Sequence, residues 1–149
     1  MKFKILIVLS TLFIVSCQTN PNRYNQLGLS ENELATVTCE KTSLFDSKFQ
    51  SYILGVYTES NVEVIGTSAF GTPEHKIVKI QPGKYVFNVM CDNGSVYAYP
   101  KVAVELEAST DYILSCESIL KEGILGIDMV DKLRAVIKKS DEISINRDK

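Results

Sequence analysis

Between Ile77 and Cys91 (IVKIQPGKYVFNVMC) apolar and polar positions alternate on both sides of Pro82-Gly83. Side chains on a strand point to opposite faces in turn, so Tyr85, Phe87, Val89 and Cys91 share one face. Pro followed by Gly is the signature of a type II turn, whose third position needs a positive φ. Such a turn does not match the twist of a tight hairpin, which leaves room for a corner between two sheets.

The same period recurs along most of the chain. In Leu34–Glu40, Ala35, Val37 and Cys39 alternate with Leu34, Thr36 and Thr38; Tyr52–Thr58 (YILGVYT) is rich in strand formers. Val62–Ile65 continues beyond a turn at Glu59-Ser60-Asn61, and residues 66–74 (GTSAFGTPE) carry the glycines and proline of a loop. Leu44, Phe45 and Phe49 are placed to pin the loop over 41–50 to a core. Asp92-Asn93-Gly94 is a strong turn signal. Tyr97–Glu107 follows, with Pro100 marking an edge or a bulge. Asp111–Glu117 puts Tyr112, Leu114 and Cys116 on one face. About seven short strands joined by turns predict an antiparallel β-sandwich.

The period changes near the C-terminus. At about 100° per residue, Met129, Val130, Leu133, Val136 and Ile137 form one apolar stripe, with Asp128, Asp131, Lys132, Arg134, Lys138 and Lys139 opposite. Acidic residues come first and basic residues last, which suits a helix dipole. A strand would account only for Leu133, Ala135 and Ile137, so the pattern predicts an amphipathic helix over 128–139. The folded domain is then 34–140, with a frayed tail at 141–149.

The first residues are of another kind. Lys2 and Lys4 precede the apolar runs Ile5–Leu9 and Leu12–Val15, too short for a membrane span, and the chain turns polar straight after Cys17. This is the form of a signal peptide over 1–16. Ile14-Val15-Ser16-Cys17 resembles the lipobox of bacterial lipoproteins. That resemblance implies that Cys17 is acylated and begins the mature chain, anchoring it to the membrane. Gln18 in place of Asp implies the outer membrane of a Gram-negative host, with the domain facing the periplasm. Several acyl chains anchor durably, since each buried CH₂ contributes about 0.8 kcal/mol. Residues 17–33, rich in Asn and Gln, read as the lipidated N-terminus and its tether.

Composition narrows the rest. With 149 residues, 45% of them apolar, the chain makes one domain with a substantial core. Net charge is −2 with the leader; without Lys2 and Lys4, 14 basic residues face 18 acidic ones, a net −4. Nothing here suits a nucleic-acid partner. Besides Cys17 there are Cys39, Cys91 and Cys116, so an oxidising compartment allows one bridge and one leftover thiol. Three pairings are open. Cys91–Cys116 is favoured because each closes an inward run, and its loop of roughly 25 residues is worth about 3 kcal/mol in the chain-entropy account.

Ile80-Gln81-Pro82-Gly83-Lys84-Tyr85, Phe87-Asn88-Val89 and Leu106-Glu107-Ala108-Ser109-Thr110-Asp111-Tyr112 resemble transthyretin-like and PEGA-like sandwiches of small bacterial envelope lipoproteins. Those carry a "PG-x-Y" turn and an alanine-glycine-x-x-tyrosine lead into a later strand; here Ser109 stands where glycine is usual. The resemblance bears on fold, since such sandwiches host many roles.

Candidate chemistry is sparse. His75 is the single histidine, beside Glu74 and Pro73, with no nucleophile-elbow sequence in the chain, and reads as an exposed loop residue. One His and scattered Cys offer no zinc spacing, and there is no C-x-x-C. Asp92-Asn93-Gly94 lacks the spaced acids of a calcium loop. Tyr52, Tyr57, Tyr97 and Tyr99 suit strands, and aromatics of this kind also populate interfaces. Gly94, Ser95, Tyr97 and Tyr99, in GSVYAY, form the one candidate interaction loop. The expectation is a lipid-anchored binding or structural module, without catalytic site, metal or cofactor, that meets an envelope protein or a glycan. The alternative is an inhibitor or assembly factor for an envelope enzyme or secretion machine.

Overall fold

The computed structural model describes residues 22–42, 48–66, 75–122 and 128–145. The leader with Cys17, Leu44 and Phe45, and most of the 66–74 loop lie outside them. The chain is mainly β, in two five-stranded sheets. The first sheet has the order β1 (Arg23–Tyr24), β5 (Ile77–Ile80), β2 (Ala35–Cys39), β9 (Asp111–Glu122), β10 (Asp128–Lys139). The second has the order β4 (Glu63–Ile65), β3 (Gln50–Thr58), β6 (Gly83–Asp92), with β7 (Tyr97–Ala98) and β8 (Lys101–Leu106) both pairing β6. One short helix, α1 (Ser140–Ile145), follows β10.

The strands form where alternation is strict. In β6 the residues Tyr85, Phe87, Val89 and Cys91 are all buried, as their shared face requires. Ala35, Val37 and Cys39 of β2, Val78 and Ile80 of β5, and Tyr112 and Leu114 of β9 supply the first sheet's share of the same core. Ile53 and Val56 of β3 and Leu106 of β8 complete it from the second sheet. Among the links that cross between the sheets are a disulfide and a buried hydrogen bond. Cys91 of β6 and Cys116 of β9 form a disulfide with Cα atoms 5.9 Å apart, and the buried Ser51 hydroxyl donates to the Leu114 carbonyl at 3.0 Å.

Pro82-Gly83 is the corner where the chain passes from the first sheet (β5) to the second (β6). Gly83 has φ +152°, open to glycine but distant from the value near +80° of a type II turn. Tyr85 folds back over it: its ring atoms lie 3.3 Å from where a Gly83 Cβ would stand, and its hydroxyl donates to the Gln81 carbonyl at 3.0 Å. Burial pushes the Tyr85 phenol up to about 12. A matching clamp closes the turn before β9, where the Tyr112 hydroxyl accepts from the Glu107 amide at 2.9 Å. Ser109 in that turn has φ +57°. A left-handed conformation costs a side-chain-bearing residue roughly 1–2 kcal/mol. Ser109→Gly is therefore expected to stabilise the fold by about 1 kcal/mol after glycine's own entropy is deducted. A raised denaturation midpoint with unchanged denaturant slope is the readout.

Strand direction gives the molecule two ends. Gly83 pairs with Leu106 and Tyr112 clamps Glu107, so the start of β6 and the start of β9 lie together at the corner end. Both strands run from there to the Cys91–Cys116 bridge, and β9 continues beyond it to Glu122. β2 and β9 are parallel, as are β1 and β5, so the first sheet is mixed where an antiparallel one was expected. The whole second sheet is threaded between β2 and β9, and both therefore start from the corner end.

Three further expectations are corrected. Residues 128–139 are a strand: β10 pairs with β9 from Asp128 to Lys139. A bulge at Asp131 breaks the register between Val130 and Lys132, so simple alternation fails and an apolar spacing arises that mimics a helix. Residues 22–33 are no tether. β1 pairs with β5, the Gln81 side chain accepts from the Gln26 and Leu27 amides, and Glu31 pairs with Arg23 and Lys79. Asn25, one of the side chains that suggested a linker, meets both backbone groups of Leu29, and Asn22 donates to Ile77 O, so these polar residues satisfy an irregular but docked segment. Residues 141–145 of the expected tail belong to the helix α1.

Candidate interaction loop

β6 ends at Asp92, and the chain turns through Asn93–Val96 into β7. Gly94 takes φ +84°, a conformation that favours glycine. The turn is closed by its own polar groups. The Asp92 carboxylate accepts from the Gly94 amide at 2.7 Å, and the Asn93 side-chain oxygen accepts from the amides of Ser95 and Val96 at 3.1 and 2.9 Å. The Asn93 amide donates to Val96 O at 3.2 Å. β7 then pairs back on β6, with Ala98 opposite Cys91, so the base of the loop is one residue from the disulfide.

Tyr97 and Tyr99 flank Ala98 two residues apart and therefore share a face. They are 67% and 60% exposed. Their ring centroids lie 5.8 Å apart at 64°, an edge-to-face pair. The structure thus places Gly94 and Ser95 in a hydrogen-bonded turn, with Tyr97 and Tyr99 as an exposed aromatic pair at its base. The rings pack on each other, so part of the ordering cost of binding is already met. Chemically the pair offers ring faces and two phenol hydroxyls, suited to a sugar ring or a protein surface rather than an ion.

The other candidates resolve differently. His75 is half-buried and joined to β3 through both of its backbone groups, to Ile53, at 2.9 and 3.0 Å. Its Nε2 lies 3.0 Å from the Gly66 carbonyl, which makes Nε2 the donor. The expected exposed loop histidine is a strut, because the chain must bridge to β3 here before crossing to the first sheet. Cys39 is buried without a disulfide partner, and burial raises its thiol pKa. A shallow groove of about 580 Å³ contains Lys48, Glu117 and Lys138. Within it, Arg134 at 2.6 Å and Lys138 at 3.1 Å hold the Glu117 carboxyl below its usual range. Among the described residues no three His, Cys, Asp or Glu side chains cluster to hold a metal ion. No described helix is long and apolar enough to cross a membrane.

Sequence reasoning missed one feature. β9 runs five residues past Glu117, where the expected strand ended, and with β10 forms an arm. Ile119, Leu120 and Val130 on it are 41%, 54% and 48% exposed, and Val130 pairs with Leu120. The signal was present in the run Ser118-Ile119-Leu120, but reading 128–139 as a helix removed its partner strand. No protein-family model, curated protein or solved structure matches the chain.

Proposed function

We propose that this protein is a lipid-anchored cell-envelope binding module without catalytic activity. In this reading it is a β-sandwich of the transthyretin-like or PEGA-like kind, held to the outer membrane through Cys17 and facing the periplasm. It meets an envelope protein or a glycan through Tyr97 and Tyr99. The observation that carries the reading is the loop and its aromatic base: two exposed, mutually packed tyrosines beside a turn closed by four hydrogen bonds. The lipobox-like Ile14-Val15-Ser16-Cys17 supports the anchor, and an inter-sheet disulfide suits an oxidising compartment. Blocking an enzyme or seating a secretion machine would use the same loop and its exposed tyrosine pair.

Crosslinking in intact cells tests it. Wild type should capture a defined partner, and Tyr97→Ala with Tyr99→Ala should lose it by tenfold or more, about 1.4 kcal/mol. Both side chains are exposed, so the melting temperature should hold. Capture that survives the double change would remove the loop from the account. Mass spectrometry should find acyl chains on the peptide beginning at Cys17. An intact Met1 on a soluble chain would end the anchor reading.

A further inference from the structure

The outer face of the second sheet carries an arrangement that strict alternation would not produce. Tyr52 and Tyr57 are an odd number of residues apart on β3, a spacing that puts side chains on opposite faces of a regular strand. The register of β3 against β6 slips between Ile53 and Gly55, so Leu54 is an extra residue. Tyr52 then lies opposite Met90 and Tyr57 opposite Val86. Met90 and Val86 alternate with the buried residues of β6, so both tyrosines are turned outward. On the other side of β6, Tyr97 lies opposite Asp92 and Lys101 opposite Asn88, which sets Tyr97 and Tyr99 on the same outer face. Four tyrosines thus flank one strand.

Between them lies an unmet polar group. Asn88 stands opposite Gly55, which has no side chain, and among the described residues its side-chain oxygen is the one buried side-chain N or O atom without a hydrogen-bond partner. The Tyr57 hydroxyl beside it donates its single proton to Glu63 at 2.7 Å and cannot meet that oxygen. A bare acceptor is costly, and a ligand hydroxyl would satisfy it. Lys101, opposite Asn88, is exposed, so its long side chain can swing aside to admit one. Charge on and beside the face is balanced, Lys76, Lys84 and Lys101 against Glu63, Asp92 and Glu105, which favours a neutral ligand. From the row of Asp92 to that of Val86 is about 20 Å, and the flanking strands are about 10 Å apart. That strip of roughly 200 Å² falls far short of the ~800 Å² per partner of a stable protein interface. An extended chain fits it better than a globular partner or a second copy. β6 is paired on both sides, so a peptide has no backbone groups to join here.

From this arrangement we infer that the outer face of the second sheet is a glycan-binding strip for an extended, neutral chain of β-linked pyranose sugars. The inference rests on the proposed contact at Tyr97 and Tyr99 and names its partner. Sugar rings lay their C–H faces against Tyr52, Tyr57, Tyr97 and Tyr99, and a sugar hydroxyl donates to the Asn88 side-chain oxygen. The β linkage keeps successive rings in line, which suits a strip longer than it is wide. Lys76, 3.3 Å above the Tyr52 ring, holds that ring in place. Since no net charge is read, affinity follows chain length and not ionic strength.

Nuclear magnetic resonance tests this on the full-length protein in detergent, with isotope-labelled tyrosine rings and methionine methyls. The probes are cellohexaose, chitohexaose and hexagalacturonate. At least one neutral hexamer should shift the ring signals of Tyr52, Tyr57, Tyr97 and Tyr99 and the Met90 methyl, equally at low and high salt. The acidic hexamer should not, and the matching disaccharide should bind at least tenfold more weakly. Asn88→Leu should weaken binding tenfold or more while the melting temperature holds or rises. Shifts confined to Tyr97 and Tyr99 would overturn the strip and spare the tyrosine loop. If neither neutral hexamer binds but crosslinking captures a protein through Tyr97 and Tyr99, the glycan is overturned and the loop stands. Failure of both experiments overturns both. A preference for hexagalacturonate overturns the neutral ligand.

Discussion

Replacing Cys91 and Cys116 together by Ala is expected to lower the free energy of unfolding by about 3 kcal/mol. The two residues are 25 apart in sequence and sit on different sheets, so the bridge closes a loop that spans β7, β8 and most of the crossing between layers. Breaking it returns that loop's freedom to the unfolded chain. The denaturant slope should rise as well, because an unfolded chain without the cross-link exposes more surface. Ala is the useful replacement: Cys91 is fully buried, and Ser would add an unpaired hydroxyl to the loss. Dithiothreitol should lower the wild-type midpoint and leave that of the double variant unchanged. Cys39→Ala should remain as sensitive to the reductant as wild type, since Cys39 is outside the bridge. A wild-type midpoint indifferent to reductant would contradict the pairing.

The bridge also bears on the tyrosine loop. Cys91 faces Ala98 across β6 and β7, and Ser51, opposite Cys91 on β3, holds the Leu114 carbonyl of β9. The base of the loop is thereby tied to both sheets. Loss of the disulfide should loosen Tyr97 and Tyr99 before the rest of the fold gives way, so partner capture should fall under reducing conditions in which most molecules remain folded.

What could be read from the chain alone follows from how local each cause is. The inward face of β6 was legible because a central strand packed on one side must alternate, and nothing interrupts Tyr85, Phe87, Val89 and Cys91. The corner at Pro82-Gly83 was legible for a similar reason: the turn chemistry is poor for a hairpin. The parallel pairing of β2 with β9 was not, because it depends on about 70 intervening residues and not on any local pattern. The docking of residues 22–33 was hidden for a different reason. Composition reports whether a segment can bury apolar surface; it does not report that Gln81 and Asn25 will satisfy the backbone of an irregular one. At the candidate site, Gly94, Ser95, Tyr97 and Tyr99 could be named from turn signal and aromatic content. Their rigidity needed the hydrogen bonds of Asp92 and Asn93.

The substitution that separates the two periods of β10 is Ala135→Asp, set beside Val136→Asp. On a helix, Val136 belongs to the apolar stripe and Ala135 falls on the opposite side, so Val136→Asp would be the damaging change. On the strand the order reverses. Ala135 pairs with Cys116 and is buried among core residues, with Leu133 and Ile137 packed on the same side. Val136 points the other way, on the face that carries Arg134 and Lys138, both bound to Glu117. A carboxylate at position 135 would be buried without a partner, and the expected loss is about 3 kcal/mol or more. At position 136 it would meet two cations at the surface, where an added ion pair is worth roughly 0–1 kcal/mol, so the net change should be small. Urea denaturation of the two variants gives the answer directly. A larger loss at Val136 than at Ala135 would restore the helix and remove the β9–β10 pairing.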